Sequence, residues 1–111
     1  MTRFARQRLD DILVAIDAIR AHLERGALID GLVFDAVRVR LIEMGEAIKA
    51  FPPDLAATRP EIPWNEIAQM RDRLAHRYFD TSRTILAATV ESDLPELETA
   101  VRGLLEGLDE G

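Results

Sequence analysis

The chain contains no cysteine, so disulfides and thiolate-ligated metals are excluded. Its longest unbroken apolar run, Ile12 to Ile16, is five residues, far too short to span a bilayer. No basic stretch leads into an apolar run at the start, so no secretory signal is expected. Aromatic residues make up only 5% of the sequence. No Gly-rich phosphate loop, Gly-x-Ser-x-Gly elbow or Glu-x-x-His pair occurs, and the two histidines, His22 and His76, stand 54 residues apart. A metal centre is therefore not expected. What remains, 111 residues with 48% hydrophobic content, reads as one cytoplasmic domain over 1–111 with a single core.

The formal charge of −6 seems to argue against nucleic acid, since phosphate contacts dominate that affinity. Its distribution removes the objection. Residues 91–111 hold seven acids and only Arg102 as a base, so residues 1–90 are neutral, with 13 charges of each sign. Residues 71–83 hold Arg71, Arg73, Arg77 and Arg83 against Asp72 and Asp80. Arginine outnumbers lysine thirteen to one. That suits bidentate phosphate contacts, although a GC-rich genome gives the same bias.

Apolar residues recur with helical spacing. Leu9, Ile12, Leu13, Ile16, Ile19 and Leu23 mark a first amphipathic helix, ended by Gly26. Asp30 is placed to cap a second, carrying Val33, Val37, Leu41, Met44 and Ile48 and stopped by Pro52-Pro53. Gly45 inside that helix costs about 1 kcal/mol relative to Ala, which points to close approach of another backbone. Residues 52–63 read as the only sizeable linker. Pro63 suits the first position of a third helix bearing Trp64, Ile67, Met70, Leu74 and Tyr78. Asp80 or Thr81 caps a fourth with Ile85, Leu86 and Val90, the weakest stripe because Thr89 interrupts it. Ser92 or Asp93 caps a fifth with Leu94, Leu97, Val101, Leu104 and Leu105, and Pro95 in its first turn. No segment alternates with period two. The expectation is an all-α up-and-down bundle of about five helices, with apolar surface available for a homodimer.

One segment concentrates chemistry: Met70-Arg71-Asp72-Arg73-Leu74-Ala75-His76-Arg77-Tyr78-Phe79. At about 100° per residue, Arg71 and Tyr78 share a helix face within about 20°, and Asp72 lies one turn before His76. Asp72 can thus orient His76 and favour its protonated form. Arg71 and His76 fall about 140° apart on a continuous helix. Acting on one phosphate then needs long side-chain reach, helix distortion or a second subunit. Metal-free RNA cleavage needs a base for the 2′-OH, an acid for the leaving 5′-oxygen and cations for the phosphorane. One histidine per chain is awkward for both proton transfers, but a two-fold axis supplies two. The alternative for these residues is helix-end caps and salt bridges. His22 reads as structural or solvated.

The order of residues resembles the HepT-like family of the HEPN superfamily. The resemblance rests on Ile42-Glu43-Met44-Gly45-Glu46-Ala47, Pro60-Glu61-Ile62-Pro63-Trp64, Met70 to Asp80 with its Arg-x4-His-x-Tyr motif, and Asp93-Leu94-Pro95-Glu96-Leu97. It implies an α-helical HEPN fold and a homodimer with its cleft between protomers. It also implies a cofactor-free, metal-independent ribonuclease serving as toxin of a bacterial type VII-like HEPN/MNT toxin–antitoxin pair. The implied partners are an RNA substrate and a minimal nucleotidyltransferase antitoxin, joined in a hetero-assembly, with no membrane. That partner silences the toxin by adenylylating the motif tyrosine, here Tyr78, from ATP. By position, Arg71 and His76 inherit the catalytic roles and Asp72 the polar position after the arginine, commonly Asn in this branch. Glu46, Arg73 and Arg77 are candidates to line the cleft, with Glu46 also placed to pair with Arg71. The competing reading is a non-catalytic helical dimer that binds a nucleotidyltransferase.

Overall fold

The computed structural model describes residues 3–75, 84 and 86–110, with side chains to residue 107. Among these, five α-helices form: α1 (Arg3–Arg25), α2 (Gly31–Lys49), α3 (Pro53–Ala57), α4 (Trp64–Ala75) and α5 (Leu94–Glu110). The described residues contain no strand. The all-α bundle expected from periodicity is the fold observed.

The stripes read from the sequence are the buried faces. Leu9, Ile12, Ile16 and Ile19 of α1 are fully buried, as are Val37, Leu41 and Met44 of α2 and Leu74 of α4. Each such aliphatic side chain contributes about 1.5–3 kcal/mol by leaving water. α2 packs between α1 and α4, while α5 packs on α1. Gly26 follows α1 as expected, and a Cβ there would meet Val33 Cγ2 at 2.9 Å. Asp30 caps α2, its carboxylate accepting from the Leu32 and Val33 N–H groups at 2.9 and 3.4 Å. Such a cap contributes about 1 kcal/mol.

Three boundaries differ from the sequence expectation. The linker at 52–63 contains the short helix α3, which buries Leu55. Five residues are too few for a periodic stripe to reveal it. Pro63 stands one position before the first helical residue, its carbonyl accepting from Ile67 N–H at 3.0 Å, which makes it the cap. Trp64 then stacks on Phe51 with ring centroids 5.3 Å apart and donates from Nε1 to the Arg59 carbonyl at 3.0 Å.

The third difference concerns the fourth and fifth helices. Neither Ser92 nor Asp93 caps a new helix, because residues 86–110 are helical throughout. A π-helical turn, Thr89–Asp93, joins the segments, and Leu94 N–H bonds to the Thr89 carbonyl. The buried residues explain it: Leu86, Thr89, Leu94 and Leu97 all face the core. Thr89 to Leu94 is a five-residue step, which on a regular helix would leave them about 140° apart. The wider turn restores their phase and carries the Pro95 ring past the carbonyl it would otherwise crowd. Thr89, which weakened the stripe in the sequence, is buried and donates from Oγ1 to Met70 Sδ at 3.0 Å. The expected caps Asp80 and Thr81, and the stripe residue Ile85, lie outside the described residues.

Candidate active site

The site is assembled where α2 meets α4. Gly45 is buried there, and a Cβ built on it would stand 2.5 Å from Arg71 Cβ, 3.2 Å from its Cγ and 3.6 Å from its Cα. The close approach expected at Gly45 is thus made, and the residue it admits is Arg71. No larger side chain fits without moving α4.

From that seat the Arg71 side chain, 34% exposed, reaches two carboxylates. Its Nε forms an ion pair with Glu46 Oε1, and NH1 donates to Asp72 Oδ1 at 2.9 Å. The same Asp72 oxygen accepts from Lys49 Nζ at 2.7 Å. Glu46 and Lys49 come from α2, and Arg71 and Asp72 from α4, so four charges of alternating sign cross the helix junction and cancel. The hydrogen bond from Lys49, then that from Arg71, holds the Asp72 carboxyl below its ordinary range. The Asp72 hydrogen bond and the neighbouring Glu46 charge raise Arg71 above an already strongly basic value. The guanidinium stays cationic at any working pH. An incoming phosphate has to compete with both carboxylates for it.

Arg38, earlier on α2, fixes the far end of α4. Its Nε and NH2 donate to the Leu74 carbonyl at 2.8 and 2.5 Å, tying α2 to the last described turn of α4. His76 follows two positions later in the sequence, outside the described residues.

Of the expected site residues, Arg71, Asp72 and Glu46 are brought together. Arg73 is exposed, and α4 turns it about 200° from Arg71, away from the cluster. His76, Arg77 and Tyr78 lie outside the described residues. His22 is half-buried beside Arg25 and Asp30 at the α1–α2 turn, apart from this cluster. Lys49 and Arg38 were missed in the sequence. Their signal was Gly45: residues seven before and four after it share its face, so the face that admits Arg71 also presents Arg38 and Lys49. No helix among the described residues is long and apolar enough to cross a membrane.

A family model described as ribonuclease HepT-like matches residues 10–104. The chain belongs to the HepT-like family. A "Probable ribonuclease HepT" of Thermococcus cleftensis is 37% identical over 102 residues, covering 88% of this chain and 93% of that protein. Two further relatives bear the name "Putative RNase". TTE0752 of Caldanaerobacter subterraneus subsp. tengcongensis is 41% identical over 61% of this chain and 62% of its own length. MJ1216 of Methanocaldococcus jannaschii is 33% identical over 92% and 90%. No solved structure matches the chain. The HepT-like match spans both halves of the site, the Gly45-Glu46 seat on α2 and Arg71-Asp72 on α4.

Proposed function

We propose that this HepT-like chain is a metal-independent endoribonuclease and the toxin of a bacterial HEPN/MNT toxin–antitoxin pair. The observation that carries the reading is the seating of Arg71 against Gly45, which fixes a half-buried, solvent-reachable and permanently charged guanidinium in a family of ribonucleases. In the reaction, a base takes the 2′-OH proton and the 2′-oxygen attacks the adjacent phosphorus. The bond to the 5′-oxygen then breaks, and an acid protonates that oxygen as it leaves. Arg71 stabilises the charge on the phosphorane, and His76 serves in proton transfer. Asp72 orients His76. A homodimer supplies two histidines and two arginines to one cleft.

Regulation is assigned to Tyr78. A nucleotidyltransferase partner transfers AMP from ATP to the phenolic oxygen, releasing pyrophosphate. The added phosphate brings negative charge to the motif segment that carries Arg71. Expression without the partner should arrest growth, and Arg71→Ala or His76→Ala should relieve it. Unchanged toxicity in both folded variants would refute the catalytic assignment. Mass spectrometry after co-expression should find AMP on Tyr78, and modification only elsewhere would reject the switch.

The second reading, a non-catalytic dimer that binds the nucleotidyltransferase, draws on one observation: Arg71 is already neutralised by Glu46 and Asp72. Cleavage of RNA by the purified protein separates the two.

A further inference from the structure

Lys49 is the chain's only lysine, and it lies beside the motif arginine without being part of the motif. It approaches from α2, whereas Arg71 approaches from α4. Both cations donate to one oxygen, Asp72 Oδ1, at 2.7 and 2.9 Å. Two cationic donors converging on a single anionic oxygen from separate helices form the geometry that grips a phosphate, and a carboxylate currently occupies it. The Lys49 and Asp72 side chains are 39% and 46% exposed, so a phosphate can reach the pair from solvent and exchange with the carboxylate.

We propose that Lys49 and Arg71 together form a two-cation clamp for the RNA backbone phosphate, with Asp72 as its built-in counter-ion. This rests on the ribonuclease reading above and adds a phosphate-binding residue to it. Lys49 is a compact point charge on a flexible stem, suited to following a phosphate as it moves, while Arg71 provides the rigid fork. Asp72 keeps two like charges adjacent when no phosphate is bound. It also opposes weak anions, because any ligand must displace a hydrogen-bonded carboxylate.

The test uses the full chain and a fluorescent 2′-deoxy oligonucleotide, which binds but lacks the attacking hydroxyl. Anisotropy is followed across a KCl series. Wild type, Lys49→Gln, Lys49→Arg, Asp72→Asn and the double variant are compared, with circular dichroism confirming equal helicity. Lys49→Gln should weaken binding and reduce the slope of log K against log salt by about 0.7 for the lost contact, and Lys49→Arg should restore it. Asp72→Asn should tighten binding by freeing Lys49 and the NH1 of Arg71, whose Nε stays paired with Glu46, and Lys49→Gln in that background should erase the gain. The oligonucleotide should also protect Lys49 from amine acylation, read by mass spectrometry of its peptide. An unchanged salt slope in Lys49→Gln, or no tightening in Asp72→Asn, would reduce Lys49 to a surface counter-ion and overturn the clamp. Arg71→Gln distinguishes the two levels: if it binds and cleaves as wild type does, the ribonuclease site itself is misassigned.

Discussion

Replacing Gly45 with alanine sets two effects of known sign against each other. In a helix interior the substitution should add about 1 kcal/mol through backbone propensity. Here the new methyl would stand 2.5 Å from Arg71 Cβ. Carbon atoms rest about 3.5–4.0 Å apart, so α4 must retreat by about 1 Å. Overpacking of this kind costs about 1–3 kcal/mol, and the neighbour is the root of a side chain, with no flexible end to swing aside. The net change is a loss of about 0–2 kcal/mol, from the difference between these two effects. On a domain of this size, each 1 kcal/mol moves Tm by about 4–8 °C. Catalysis should suffer more than stability. A displacement of about 1 Å at a reacting group can cost about 100-fold in rate. The assay pairs thermal unfolding by circular dichroism with the cleavage rate of a fluorogenic RNA. A variant whose Tm rises by the full propensity gain while cleavage stays at wild-type rate would refute the seating of Arg71 on α2.

Two further substitutions probe the frame of the site. Arg38→Met removes both bonds to the Leu74 carbonyl and should cost about 1–3 kcal/mol in urea unfolding, with slower RNA cleavage as the end of α4 loosens. Asp93 tests pH linkage: burial, then Glu96 and Glu66, raise its carboxyl above the ordinary value. Its ionised form therefore opposes folding at neutral pH, and that cost fades as pH falls through the raised value toward the unfolded one. Asp93→Asn should raise Tm at pH 7, and the advantage should disappear in acid; an equal gain at both pH values would contradict the assignment.

The frame of the bundle was legible because regular helices advertise themselves by period. Ile12, Ile16 and Ile19 in α1, or Val37, Leu41 and Met44 in α2, could hardly be arranged otherwise. Gly45 was legible for a different reason, as a residue whose local cost demanded a tertiary explanation. The π turn was not, because a five-residue step between Thr89 and Leu94 looks like the end of one stripe and the start of another. Pro95 strengthened that misreading, since proline ordinarily marks a first turn. Lys49 and Arg38 escaped because their partners lie on another helix. Pairing of that kind depends on the register between α2 and α4, which neither helix encodes alone.

The neutrality of the four-charge cluster constrains how such a site can diverge. Glu46 and Lys49 on one helix answer Arg71 and Asp72 on the other, so a change at one position unbalances a partner more than twenty residues away in the chain. Where a relative carries a neutral residue in place of Asp72, the pressure to keep a cation at position 49 as its counter-charge is relaxed. Any basic residue retained there would then be held by a ligand rather than by the fold. Substitution at these two positions should therefore travel in pairs through the family's history, and a basic residue kept at position 49 beside a neutral position 72 would show that the RNA contact alone suffices to retain it.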